Sequence, residues 1–169
     1  KVYDLAKAKQ LLAEAGYPEG KGLPVITLDV SAATKQRQQG EFFQQCMEKI
    51  GVTIKVMPNI FPELIKKIEQ KNTMMHALTW ESDYPDAESF LQLFYKSDKR
   101  VGIGANFNDA TYNALYEQAT AMQPSAVRTD LYEQLNRIVA AQVPVICSVH
   151  QVHLVLYHGW IKNYLWSNY

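Results

Sequence analysis

Apolar positions along the chain follow two rhythms, one of helices and one of strands. Asp4 to Gly16 carries Leu5, Ala8, Leu12 and Ala15 on one helical stripe, with Asp4 placed to cap its start and Gly16 to stop it. Tyr17 to Gly22 is a turn-rich link, and Pro24 to Val30 reads as a strand with Val25, Ile26, Leu28 and Val30 apolar. A helix from about Thr34 to Ile50 follows, with Phe43, Cys46, Met47 and Ile50 at helical spacing and Gly51 at its end. Val52 to Met57 alternates as a second strand. Phe61 to Glu69 turns Phe61, Leu64, Ile65 and Ile68 inward as a helix, and Met75 to Trp80 is a third strand. This β-α-β-α-β order predicts parallel strands joined by right-handed crossovers.

The second half is mostly helical. Asp86 to Tyr95 reads as a helix with Phe90, Leu91, Leu93 and Phe94 apolar; Asp86 is its N-cap, and Glu88 favours its positive end. Lys96 to Phe107 is a polar loop. Asn108 then caps a helix to about Met122 with the stripe Tyr112, Leu115, Tyr116 and Ala119. Gln123-Pro124-Ser125 breaks it, Ala126 to Gln142 forms another helix through Leu131, Leu135, Ile138 and Val139, and Val143 to Tyr157 is strand-rich. The fold class is α/β, a mixed sheet with flanking helices.

Composition narrows the function. A chain of 169 residues suits one domain, which buries roughly 70% of its unfolded surface without a metal or disulfide staple. Seventeen basic residues balance seventeen acidic ones, so no field points to nucleic acid or an anionic membrane. The most apolar segment, Val143 to Tyr157, is broken by Ser148, His150, Gln151 and His153 and is no membrane span. The chain opens on Lys1, which reads as a processed or excised piece, and no signal peptide is visible. Cys46 and Cys147 read as buried, reduced thiols, with a disulfide left open.

Strong enzymatic motifs are absent from the sequence, and no catalytic residue, cofactor or metal is expected. Gly102-Ile103-Gly104 lies in a polar loop and lacks the third glycine of a dinucleotide site. His150 and His153 should point to opposite faces of a strand, so with His158 they make a poor metal set. The pairs Glu81 with Asp83 and Asp86 with Glu88 show no sign of the separated environments that acid–base catalysis needs.

The stretch Trp80-Glu81-Ser82-Asp83-Tyr84-Pro85-Asp86 carries the candidate site, at the end of a strand, where open α/β folds bind ligands. An aromatic wall beside a carboxylate suits an amine-bearing ligand. The residues alone leave another reading open: Trp80 in the core, Asp83 forming an Asx-turn, Tyr84-Pro85 a plain turn.

An ordered set of segments resembles one family. It comprises Tyr3-Asp4 through Ala15-Gly16-Tyr17-Pro18-Glu19-Gly20, Glu48-Lys49-Ile50-Gly51-Val52, Trp80 to Phe90, Phe107 to Leu115, Arg128 to Tyr132, and Val143-Pro144-Val145-Ile146. Together these resemble the C-terminal lobe of the family 5 extracellular solute-binding proteins, the oligopeptide and dipeptide receptors of ABC importers. The resemblance implies a periplasmic-binding-protein type II-like lobe, with residues 1–150 the ligand-binding lobe and 151–169 a segment returning toward the other, missing lobe. It implies a peptide held non-covalently between lobes, with Asp83 pairing the ligand's α-amino group and Trp80 lining the cleft. Ser82 would offer main-chain groups, and Tyr84 would wall the pocket or pack beneath it. The implied partners are the peptide, a membrane permease and the other lobe of the same protein; the implied location is periplasmic or extracellular, with a lipid anchor possible. Glu81, Ser82 and Ala87 depart from the family pattern, which puts selectivity in question. Relatives that take nickel chelates, haem, opines or oligosaccharides, or that act as adhesins, supply the alternatives.

Overall fold

The computed structural model describes residues 3–96, 106–150, 152 and 154–164. The chain divides into two compact units, Lys1–Thr79 and Trp80–Tyr169.

The first unit is a three-stranded parallel sheet with helices. Its elements are α1 (Leu5–Glu14), β1 (Ile26–Ser31), α2 (Thr34–Glu48), β2 (Ile54–Asn59), α3 (Phe61–Glu69) and β3 (Met75–His76). The sheet order is β2-β1-β3, with Ile26 opposite Ile54 and Ser31 opposite Asn59. Parallel strands need a crossover between them, and α2 and α3 supply both. Asp4 caps α1 as its sequence predicts, accepting the Lys7 N–H at 2.8 Å.

Leu28, Val30, Val52 and Ile54 form the core of this unit, joined by Leu12, Phe43, Met47 and Ile50. Alternation along β1 sends Leu28 and Val30 to one face and Asp29 to the other. α2 closes on the first face through Gly40, where an added Cβ would lie 3.2 Å from both Val30 and Val56. On the other face Asp29 is buried, accepting hydrogen bonds from Lys67 Nζ of α3 and Asn59 Nδ2, each at 2.9 Å. Two turns meet backbone to backbone beside the sheet: Gly20 (φ +75°) and Gly51 (φ +86°) touch so closely that a Cβ on Gly20 would sit 1.8 Å from the Gly51 carbonyl oxygen.

The second unit packs α4 (Glu88–Leu91), a 3-10 turn at Gln92–Phe94, α5 (Ala110–Thr120) and α6 (Ala126–Gln142). Leu91, Phe107, Tyr112, Tyr116, Ala119, Leu131, Tyr132 and Leu135 are its core, so the predicted stripes of both long helices face inward. The Tyr112 hydroxyl donates to the Leu91 carbonyl at 2.7 Å, tying α5 to α4.

Several sequence expectations change. β3 stops at His76 rather than Trp80, because its ladder with β1 closes after Ala77 N–H reaches the Asp29 carbonyl. The predicted helix from Asp86 to Tyr95 is four residues followed by a 3-10 turn, with Ala87 at the N-cap position, although Asp86 Oδ1 still accepts the Glu88 N–H. Asp109, not Asn108, caps α5; Asn108 accepts from the Asn113 side chain instead. Phe61 is exposed, since it starts α3 a turn before the buried Leu64. Val143 adopts a left-handed conformation (φ +48°) that ends α6, and the described residues after it join no ladder, so the predicted strand there does not form. Cys147 is accordingly exposed rather than buried; Cys46 is half-buried, and both are free. Gly102-Ile103-Gly104 and His153 lie outside the described residues.

Candidate functional site

Beyond β3 the chain runs without regular structure through Trp80 and Ser82 and bends at residues 83–86 before entering α4. Such a stretch carries free backbone groups that need partners. Ser89, in α4 and 0% exposed, meets one of them and two side chains besides. Its hydroxyl accepts the Asp83 N–H at 3.0 Å, and its carbonyl accepts the Trp80 indole N–H at 2.8 Å and the Gln92 side-chain amide at 3.1 Å.

Trp80 is half-buried, with its only side-chain donor used inside the unit. Ser82 is half-buried, and Asp83 and Tyr84 are exposed. The Asp83 carboxylate makes no hydrogen bond or ion pair with the described residues; only its backbone N–H is held. The other expected acids behave differently. Arg128 of α6, with its side chain 10% exposed, reaches Asp86 Oδ2 at 2.5 Å and Glu88 Oε2 at 3.5 Å. Its Nε–H donates to the Ala119 carbonyl at 3.2 Å, and its guanidinium lies 4.8 Å from the Tyr132 ring centre. The buried Tyr132 hydroxyl lies toward Asp86 but closes no hydrogen bond of good geometry within the described residues.

Electrostatics follow from this clamp. Burial works to raise the Asp86 carboxyl, but the Glu88 N–H and the Arg128 guanidinium outweigh it and hold the group below its ordinary range. Tyr84 is pushed upward by burial and by the charges of Glu88, Asp86 and Asp83, against the opposing pull of Arg128. The loop thus neutralises Asp86 and Glu88 internally and presents Asp83 outward.

The structure brings Trp80, Asp83 and Ser89 into one bonded group, with Tyr84 beside the acids. Sequence reasoning missed Ser89 and Arg128 as members. Arg128 had a signal: it lies on the apolar stripe of Leu131 and Leu135, where a cation demands a buried anion. Among the described residues, no group of three or more His, Cys, Asp or Glu is placed to hold a metal.

Comparison with known proteins assigns the architecture. Residues 1–102 match the model of the bacterial extracellular solute-binding proteins, family 5 middle region. The chain is 30% identical to heme-binding protein A of Haemophilus influenzae, over 98% of this chain and 31% of that protein. It is 29% identical to di/tripeptide-binding protein 1 of Pseudomonas aeruginosa, over 88% of this chain and 28% of that protein. The solved periplasmic binding protein DppA of Helicobacter pylori, in complex with the peptide STSA, superposes with a TM-score of 0.76 at 27% identity, over 84% of this chain and 28% of that one. The chain thus spans about three tenths of the length of the curated relatives it matches. Its fold is the periplasmic-binding-protein type II-like α/β lobe. With more than half of its residues matched by the family model, the chain belongs to the family 5 bacterial extracellular solute-binding proteins.

Proposed function

We propose that this chain is part of the substrate-binding component of an ABC importer, and that it contributes one wall of a cleft that binds peptides without catalysis. The observation that carries the reading is the state of the loop acids. Arg128 holds Asp86 and Glu88, while the Asp83 carboxylate stands exposed on a backbone fixed by Ser89, beside the half-buried Trp80. An outward carboxylate against an aromatic wall suits the α-amino group of a peptide. Enclosure would strengthen that pair, because removing one partner of a desolvated charge pair costs about 2–5 kcal/mol. Ser82 supplies main-chain groups that read a peptide backbone without reading its side chains, and Tyr84 forms the rim.

The names of the relatives support a peptide: a di/tripeptide-binding protein and a receptor solved with STSA stand among them. The haem-binding relative keeps a second ligand class in the experiment. In the same reading, residues 1–150 form the lobe and residues 151–169 return toward a second lobe that supplies the opposite wall. Val152, Leu154 and Leu156 are each more than four-fifths exposed, as expected of a segment that packs against something further. The complete protein works outside the cytoplasmic membrane and delivers ligand to a membrane permease.

The test is calorimetric titration of the full-length protein with di- and tripeptides, their N-acetylated counterparts and haem. Asp83→Asn should weaken free-amine peptides by at least about 30-fold. Unchanged affinity in that variant removes the anchor, and tight binding of haem alone removes the peptide.

A further inference from the structure

Ser89 lies at the junction of the two side chains proposed to meet the ligand, and it has no surface of its own. It is fully buried, yet its hydroxyl takes the Asp83 N–H and its carbonyl takes the Trp80 indole N–H. Its own N–H donates to the Asp86 carbonyl at 3.1 Å, and Asp86 is fixed by Arg128. One residue therefore links the aromatic wall, the exposed acid and the internal ion pair. We infer that Ser89 is the positioning residue for ligand recognition: it sets the placement of the Asp83 carboxylate relative to the Trp80 ring and so the selectivity for a free amine. This rests on the peptide reading above.

The hydrogen-bond inventory gives the inference two consequences. Indole has one donor, and it is committed to Ser89, so Trp80 offers a ligand its ring face and no hydrogen bond. The Asp83 N–H is committed too, so main-chain pairing with a peptide cannot use that donor. Recognition then depends on where one carboxylate stands, and a carboxylate placed an ångström away loses much of a charge-assisted bond. Asp83 is exposed, and its N–H bond to Ser89 Oγ is what restrains its backbone from within the unit.

The experiment measures the ratio of affinities for Ala-Phe and N-acetyl-Ala-Phe in the full-length protein, with Ser89→Ala, Asp83→Asn and the double variant. Ser89→Ala deletes the acceptor for Asp83 and leaves the carbonyl that holds Trp80. The expected result is about a tenfold narrowing of the ratio, all of it in the free-amine ligand, with no further narrowing when Asp83→Asn is already present. If Ser89→Ala does not fold, Ser89→Cys, close in size and a weaker acceptor, should narrow the ratio by a smaller factor. A ratio kept within twofold, or an equal loss for both ligands, overturns the positioning role while the anchor stands. Wild-type protein that fails to distinguish the two ligands overturns the anchor reading, and the positioning role with it.

Discussion

Replacing Arg128 by Met tests how the candidate loop is held. The guanidinium is removed at nearly constant length, which deletes its bonds to Asp86, Glu88 and the Ala119 carbonyl and leaves an apolar stem against Tyr132. Breaking a fully buried ion pair by deleting one partner costs about 3–5 kcal/mol. Here the Asp86 and Glu88 side chains keep 26% and 29% exposure, so water recovers part of that, and about 2 kcal/mol remains from the charges. Losing the Nε–H bond to the Ala119 carbonyl, which keeps the Met122 N–H at 3.1 Å, adds about 1 kcal/mol. The sum of about 3 kcal/mol should appear as a lower midpoint in equilibrium urea unfolding and as a fall in Tm of about 6–12 °C. The pH dependence supplies an internal check. Asp86 is held below its ordinary value in the folded state, so its contribution is present above the unfolded carboxylate pKa and is lost as pH falls through the folded one. Arg128→Met should therefore lose stability at neutral pH and show a shallower acid limb. A change under about 0.5 kcal/mol, or an acid limb as steep as that of the unaltered protein, would refute the clamp.

Two further outcomes are expected. Gly51→Ala places a Cβ 2.1 Å from the Glu19 carbonyl oxygen at a positive φ, so it should cost at least about 3 kcal/mol in the same unfolding assay, whereas a near-neutral result would mean the turns separate freely. Burial, then the charge of Asp86, pushes Tyr132 up to about 12, and burial likewise raises Tyr112 and Tyr116. An acid whose folded pKa is raised stabilises fully below its unfolded pKa near 10 and progressively less as pH climbs toward 12. Phenolate absorbance should thus rise in two stages, the later one coinciding with loss of helical signal; a single step near pH 10 with helix intact would contradict it.

Local periodicity made most of the fold legible. Strands β1 and β2 alternate in polarity, the stripes Tyr112–Tyr116–Ala119 and Leu131–Leu135 repeat at helical spacing, and Leu28, Val30, Ile54 and both stripes are buried as the pattern expects. What periodicity could not reach was pairing at long range. Met75 to Trp80 is apolar enough for a strand, yet a strand lasts only as long as its ladder, and β1 offers β3 two register positions. Val143 to Tyr157 is rich in β-branched residues, but propensity without a partner edge leaves its described residues irregular. The site was legible as residue types at Trp80, Ser82, Asp83 and Tyr84. Its support was not: Ser89 looks like any small polar residue in a helix, and Arg128 is 42 positions from the carboxylate it meets. Asp29 behaves the same way, a charge on β1 between Leu28 and Val30 whose partner, Lys67, stands on helix α3.

The contact between Gly20 and Gly51 has a consequence for how this chain can vary. Most tight contacts allow compensation, since a larger residue on one side can be answered by a smaller one on the other. Here both sides already lack a side chain, and each added Cβ would strike backbone, so neither position leaves room for the other to change. Substitutions at these two sites should stay rare among descendants even where the surrounding turns diverge in composition. Any change in the length of the Tyr17–Gly22 turn would have to keep the same two glycines facing one another.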